Sequence, residues 1–293
     1  MIPYDKRSGK IWYNGELVDW SEVKVHVLSH GLHYASCVFE GERVYDGSIF
    51  KLEEHTSRLF HSARRMGFDI PYSEDEINSA SKKIINTQKV DNGYVRPVAW
   101  RGSEMMAISA QKTKIHVAIA TWEWGSYFDP KLKIEGIKLN ISSWRRPAPN
   151  TIPWDTKASG LYMICTLSKH EAEKQGYADS LMLDHEGNVA EATGANIFFK
   201  DKNGELHTPV PDSFLDGITR RTVIEIAKSK NIKVNERKIK PDELKNFVGC
   251  FLTGTAAEVT PVSCIAKNQF KVCEMIIDLN ESYQALVKKK KAA

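Results

Sequence analysis

The chain has 293 residues, 42% hydrophobic and 27% charged, an ordinary globular composition that can bury a sizeable core and is expected to divide into two domains. The lysine tail 288–291 supplies all of the net charge of +4, so the body is neutral and lacks the basic face that a nucleic-acid binder needs. No uncharged apolar run can cross a bilayer, no secretory signal opens the chain, and five cysteines without CxxC spacing predict reduced, mostly buried thiols in a cytoplasmic protein.

The turn dipeptides Asn14-Gly15 and Asp46-Gly47, each between strand-forming runs, predict two hairpins. Leu59, Phe60, Ala63 and Met66 fall on one side of a helix over 53–66 that Gly67 ends. Ser73 and Glu76 form a capping box that opens a second helix, with Ile77, Ala80, Ile84 and Ile85 as its buried stripe. Strand-like runs at 94–100 and 115–122 complete a small α+β domain over 1–124. The segment 125–130 breaks the periodicity, which places an interdomain connection over 125–135. Strands at 138–142, 180–183 and 196–199 then mix with helices near 160–175 and 218–229, giving a second mixed domain over 136–293. Val272, Ile276, Leu279, Tyr283 and Leu286 mark one face of a closing helix that docks on the core.

His26, His30 and His33 are close enough in sequence to raise a metal site. Val25, Val27 and Leu28 around them read as strand, and no cysteine or carboxylate completes a ligand set, so no metal is expected. No nucleophile elbow is present either.

The chemistry concentrates around Trp154-Asp155-Thr156-Lys157-Ala158-Ser159-Gly160-Leu161-Tyr162. A lysine amine, two later turns able to hold a phosphate, and carboxylates between them suggest pyridoxal phosphate. Gly217-Ile218-Thr219 precedes the apolar run Val223-Ile224-Glu225-Ile226-Ala227, so backbone N–H groups at a helix start can face an anion. Gly254-Thr255-Ala256-Ala257 offers a second turn. Glu191 lies among the small residues Ala190, Ala192, Thr193 and Gly194, which leave room for a flat ring. Each feature alone has an ordinary alternative. Lys157 would open a solvated helix, Tyr162 would pack in the core, and Glu191 would end a strand at the surface. The two turns would be capped loops, and Arg58 would be a solvent-facing partner for Glu54.

The succession Glu191-Ala192-Thr193-Gly194-Ala195-Asn196-Ile197-Phe198-Phe199, Leu206-His207-Thr208 and Leu215-Asp216-Gly217-Ile218-Thr219-Arg220-Arg221 resembles the signature of the class IV pyridoxal phosphate aminotransferases. Within that family the chain is similar to the bacterial branched-chain-amino-acid aminotransferases. The likeness runs from His30-Gly31-Leu32-His33-Tyr34 and Val38-Phe39-Glu40-Gly41, through Tyr94-Val95-Arg96-Pro97 and Ser143-Trp144-Arg145-Arg146-Pro147, to Phe251-Leu252-Thr253-Gly254-Thr255-Ala256-Ala257-Glu258.

The resemblance implies a two-domain fold of type IV, with a small α+β N-terminal domain and a larger mixed, β-barrel-like C-terminal domain. It also implies a homodimer or a larger homo-oligomer, a hexamer included. Lys157 would be the Schiff-base lysine and proton carrier, Glu191 the partner of the pyridine nitrogen, and Tyr162 that of the cofactor phenolate. Arg58, Ile218, Thr219 and Thr255 would hold the phosphate, with Gly217 and Gly254 in the turns, and Leu215 would pack on the ring. The substrate pocket would comprise Phe39, Tyr94, Arg96, Trp124 and Tyr127, with Tyr34 from the neighbouring subunit and the N–H groups of Thr255 and Ala256 on the α-carboxylate. One pocket must then accept an aliphatic side chain, which aromatic walls suit, and the γ-carboxylate of glutamate, which Arg96 and Tyr94 suit. The implied reaction exchanges the amine of leucine, isoleucine or valine with 2-oxoglutarate. A D-amino-acid aminotransferase and a 4-amino-4-deoxychorismate lyase of the same fold are the competing activities, and the Tyr94-Val95-Arg96 triplet favours the branched-chain one. The chain departs from the family pattern at Leu161 and Ala195, which bears on substrate range and not on cofactor use.

Overall fold

The computed structural model describes residues 2–125, 128 and 130–288. Two compact units emerge: one comprises Met1–Gly125 and Thr156–Gly160, the other Ser126–Asp155 and Leu161–Ala293. The segment that carries Lys157 thus groups with the first unit, although thirty residues of the second, 126–155, precede it in the chain. The connection expected over 125–135 is only partly irregular, because a short helix starts at Pro130.

The first unit is built on strands β1 (Lys10–Tyr13), β2 (Glu16–Asp19), β3 (Cys37–Phe39), β4 (Glu42–Tyr45), β5 (Ser48–Ile49), β6 (Gly93–Arg101) and β7 (Ile115–Glu123), with helices α1 (His30–Tyr34), α2 (Leu52–Arg65) and α3 (Glu74–Gln88). The sheet order is β2-β1-β7-β6-β4-β5, with β3 also on β6. Both hairpins form at the expected dipeptides. Asn14 (φ 49°) and Gly15 (φ 99°), like Asp46 (φ 47°) and Gly47 (φ 72°), take the paired positive φ values that match the twist of tight hairpins. Along α2, Leu52, His55, Thr56, Leu59, Ser62 and Ala63 are buried at helical spacing, so polar and apolar groups share the inner face. The capping box of α3 is present in both directions, Glu76 N–H to Ser73 Oγ at 3.2 Å and Ser73 N–H to Glu76 Oε2 at 2.7 Å.

The segment 25–28 is not a strand. It is a turn-containing stretch leading into the five-residue α1, on which His30 and His33 lie. Their Nε2 atoms bond to the carbonyls of Ala107 and Val27 and do not converge on a common point.

The second unit holds α4 (Pro130–Glu135), β8 (Ile137–Arg145), α5 (Met163–Lys174), β9 (Asp179–Leu183), β10 (Val189–Ala192), β11 (Asn196–Lys200), β12 (Leu206–Thr208), α6 (Ile218–Ser229), β13 (Val234–Glu236), β14 (Gly249–Gly254), β15 (Glu258–Ile265), β16 (Asn268–Gln269) and α7 (Glu274–Val287). Its nine-stranded sheet runs β10-β9-β8-β15-β14-β11-β12-β13, mixing parallel and antiparallel pairs, with β16 on β15. The core beneath it gathers Ile137, Leu139, Leu181, Ile197, Phe199, Leu252, Val262 and Ile265, all fully buried. Phe198 and Phe251 stack at 5.0 Å between ring centroids. On α7 the buried face is Ile276, Leu279, Tyr283 and Val287, while Leu286, expected inside, is exposed. Among the described residues no helix is long and apolar enough to cross a membrane.

Candidate active site

In the first unit the Lys157 segment is fixed by backbone contacts. The Phe39 N–H donates to the Lys157 carbonyl at 3.2 Å, Val38 and Ala158 form an isolated antiparallel bridge, and the Lys157 N–H donates to Ser62 Oγ at 3.0 Å. Lys157 is half-buried, and its Nζ lies 5.3 Å from the centroid of the Phe39 ring. The Arg96 guanidinium stands over that ring too, at 4.7 Å, and 5.4 Å from the centroid of Tyr94. Tyr94 and Arg96 share a face of β6 because strand side chains alternate. Trp124 meets Tyr94 edge-on at 4.7 Å and so extends the aromatic wall. Gly41 makes this packing possible, since a Cβ there would lie 1.8 Å from the Tyr94 hydroxyl.

Arg58 does not face solvent, its side chain being 11% exposed. Its Nε and Nη2 donate to Glu40 Oε1 and Oε2 at 2.6 and 2.9 Å, a bidentate pair in which Glu40 is fully buried. His55 Nδ1 lies 2.7 Å from Glu40 Oε2. Burial alone would raise the Glu40 carboxyl, but Arg58 and then His55 outweigh it and hold it far below the usual carboxylate range. His55 loses more from burial than it gains from Glu40, so its titration is pushed down and a neutral ring donates to the carboxylate.

Glu42, two residues on, is fully buried with neither oxygen hydrogen-bonded among the described residues. Burial, and then the Glu40 charge, push its carboxyl well above the usual range, so it is held protonated. Tyr34, 41% exposed, stacks on His30 at 4.6 Å between ring centroids. Tyr127 lies outside the described residues.

In the second unit β10 buries Glu191, so it is not a surface strand end. Its Oε1 lies 3.4 Å from Arg146 Nε, and its Oε2 accepts from Asn196 Nδ2 at 3.2 Å. Asn196 Nδ2 also donates to the Leu215 carbonyl at 2.9 Å, and Asn196 Oδ1 accepts the Gly217 N–H at 3.1 Å. Gly217 is the N-cap of α6 and has no side chain with which to cap the N–H groups of the first turn, and Ile218 and Thr219 follow there as buried residues. Arg220, fully buried, clamps this start of α6 to Asp216 at 2.9 Å, Glu236 at 2.6 Å and the Pro209 carbonyl at 3.1 Å. A Cβ on Gly254 would meet the Gly194 carbonyl and the Ala195 Cβ at 3.4 Å, so the turn after β14 lies beside the turn before β11. Thr255 and Ala256 follow there, half-buried, while the buried Thr253 Oγ1 has no partner among the described residues. Tyr162 is the N-cap residue of α5 and is half-buried. One turn on, burial pushes the Cys165 thiol up to about 11 against the pull of Arg146.

The candidates thus form two groups. Lys157, Phe39, Tyr94, Arg96 and Trp124 cluster in the first unit, with Arg58 held at Glu40. Glu191, Leu215, Gly217 and Ile218 are linked through Asn196 in the second. Sequence reasoning left Glu40, Glu42, His55, Ser62 and Arg146 without roles. The helical spacing of His55, Arg58 and Ser62 was available as a signal of one shared face. Nothing local marks Arg146 as a neighbour of Glu191, because the two are distant in the chain.

Comparison with known proteins agrees in kind. Residues 37–265 match the family described as amino-transferase class IV. A probable branched-chain-amino-acid aminotransferase of Rickettsia conorii is 41% identical over 98% of this chain and 99% of its own. A branched-chain-amino-acid aminotransferase of Pseudomonas aeruginosa is 44% identical over 87% of this chain and 84% of its own. Among solved structures, the branched-chain amino acid aminotransferase of Escherichia coli superposes with a TM-score of 0.93 at 35% identity, covering 98% of this chain and 97% of that one. At that similarity over nearly the full length, the mixed fold is that of the fold type IV aminotransferases.

Proposed function

The chain belongs to the class IV aminotransferase family, and from that premise we propose that it is a pyridoxal-phosphate-dependent transaminase acting on leucine, isoleucine and valine with 2-oxoglutarate. The observation that carries this reading is the pair of cations over one aromatic ring. The Lys157 amine and the Arg96 guanidinium stand 5.3 and 4.7 Å from the Phe39 centroid, with Tyr94 and Trp124 continuing the wall. An apolar surface between a reactive amine and a fixed guanidinium suits an aliphatic side chain in one half-reaction and a γ-carboxylate in the other.

The donor chemistry fits the cofactor. The N–H groups at the start of α6, the hydroxyls of Thr219 and Thr255, and the Arg58 guanidinium suit a phosphate dianion, with Gly217 and Gly254 keeping the turns open. Glu191 would face the pyridine nitrogen, Tyr162 the phenolate, and Leu215 the ring. When bound, the cofactor supplies an electron sink that makes the substrate α-proton labile. Lys157 Nζ would hold the cofactor covalently between turnovers and then carry the α-proton. Arg96 and Tyr94 would orient a side-chain carboxylate and the N–H groups of Thr255 and Ala256 the α-carboxylate, with Tyr127 counted among the substrate residues.

On the same reading the enzyme works in the cytoplasm as a homodimer or larger homo-oligomer, and the partner subunit's Tyr34 completes each pocket. The exposure of Tyr34 together with Val25, Val27, Leu28 and Leu32 supports that placement. The division into domains over 1–124 and 136–293, joined over 125–135, is likewise proposed.

Lys157→Ala is expected to abolish transamination of leucine with 2-oxoglutarate, and borohydride reduction of the wild-type holoenzyme should label the Lys157 peptide. Label elsewhere, or near wild-type turnover by the variant, contradicts the assignment. Amino donors of both enantiomers, with pyruvate release measured in parallel, separate the branched-chain activity from D-amino-acid transamination and from the lyase.

A further inference from the structure

Resting on the cofactor assignment above, we infer that Asn196 is a positioning residue whose single side-chain amide sets both the Glu191 carboxylate and the start of α6, holding the ring-nitrogen partner and the phosphate cradle in one register. Asn196 is 4% exposed at the start of β11, and both ends of its amide are engaged. Nδ2 donates to Glu191 Oε2 at 3.2 Å and to the Leu215 carbonyl at 2.9 Å, and Oδ1 accepts the Gly217 N–H at 3.1 Å. Its backbone pairs with Thr253 of β14, immediately before Gly254. One residue therefore touches the carboxylate, the loop that carries Leu215, the N-cap of α6 and the strand leading to the second turn.

The side-chain type is constrained. Two donors and one acceptor on a planar group of this length are what an asparagine offers. Aspartate would keep the acceptor for Gly217 but lose both donors and set a second carboxylate against Glu191. Serine and threonine carry one hydroxyl on a shorter stem. Gly217 is constrained from the other side, because a Cβ there would lie 2.2 Å from Asn196 Oδ1, well inside contact distance. Arg146 Nε lies 3.4 Å from the other oxygen of Glu191, Oε1, while Asn196 binds Oε2.

Pyridoxal phosphate is a rigid ring that carries its phosphate on a short arm at C5, meta to the ring nitrogen, so the separation of the two varies little. The spacing between Glu191 and α6 must therefore match a fixed length, and a brace joining the two protein groups sets that spacing before the ligand arrives. A preset frame strengthens both contacts together, and its loss weakens both together. A residue with a merely structural role would lower stability without coupling the two.

The test compares holoenzymes of the wild type, Asn196→Asp, Asn196→Ala and Gly217→Ala. Three quantities are read: the dissociation constant for pyridoxal phosphate, the ratio of its affinity to that of phosphate-free pyridoxal, and the pH midpoint of the visible absorption band of the bound cofactor. Asn196→Ala and Asn196→Asp are expected to weaken pyridoxal phosphate about tenfold or more, the scale of losing a charged hydrogen bond, to lower the ratio, and to move the midpoint. Gly217→Ala should do the same from the opposite side of the contact, and it stands in should the Asn196 variants fail to fold. A folded variant whose midpoint and ratio both match wild type overturns the inference, as does one in which only the phosphate contribution changes. A wild-type chain that binds no pyridoxal phosphate, or is not labelled at Lys157, would instead overturn the functional reading, and with it this inference.

Discussion

Glu40 and Glu42 show how one strand start places two carboxyls in opposite states. Glu40 meets Arg58 and His55 and is ionised, whereas Glu42 is held protonated by burial and then by the Glu40 charge, which outweigh the pull of Arg58. The pH consequences differ in sign. The Glu40 carboxyl is depressed in the fold, so its stabilisation is present above the ordinary glutamate value near 4.5 and is lost as pH falls through the folded value. The Glu42 carboxyl is raised, so the unfolded chain releases its proton first, and stability declines as pH rises from about 4.5 toward the folded value. Each unit of difference corresponds to about 1.4 kcal/mol. Glu42→Gln is expected to raise the Tm at pH 8 relative to wild type, with the gap closing toward pH 4.5. A gap independent of pH in thermal melts would show that Glu42 is ionised in the fold. Gly41→Ala acts on the neighbouring wall. A methyl 1.8 Å from the Tyr94 hydroxyl must displace that ring, so the KM for 2-oxoglutarate should rise about tenfold, the scale of one charge-assisted contact, with a smaller effect on leucine. Equal changes for both substrates in steady-state assays would separate Tyr94 from carboxylate recognition.

Elements were legible where their signals are local. The two hairpins follow from dipeptides that tolerate positive φ, and α6 spans the stretch that the apolar periodicity marks. The capping box of α3 was visible as Ser73 and Glu76, and both of its bonds form. Ser73→Ala should cost about 1 kcal/mol and lower the Tm by a few degrees without altering turnover, as calorimetry with a parallel assay would show. Signals failed where the decisive partner is remote in sequence. Val25, Val27 and Leu28 are apolar and β-branched enough to read as a strand, yet among the described residues no strand pairs with them and they stay exposed. Leu286 fits the helical period of α7, but the buried stripe drifts by one residue to Val287. The candidate residues were named through the family motif, while the wiring through Glu40, Arg146 and Asn196 was not legible, because each bond spans loops that periodicity does not encode.

For the whole molecule, the exposed apolar run at 25–34 sets an expectation about assembly. A chain that leaves Val27 and Leu32 about two-thirds exposed presents a surface suited to association. Leu32→Glu is expected to shift the mass measured by light scattering toward a monomer, and a wild type that is monomeric at micromolar concentration would refute the oligomer. The interleaving of the two units has a further outcome during synthesis. Residues 156–160 close onto the edge of β3 through Val38–Ala158 and Phe39–Lys157, so the first unit stays unfinished after residue 125 has left the ribosome. At about 5–20 residues per second, the intervening 126–155 delay completion by about 1.5–6 s, during which that strand edge waits unpaired. The amine-bearing segment is the last piece to arrive, and a nascent chain stalled before it would expose a sticky margin for chaperones to shield.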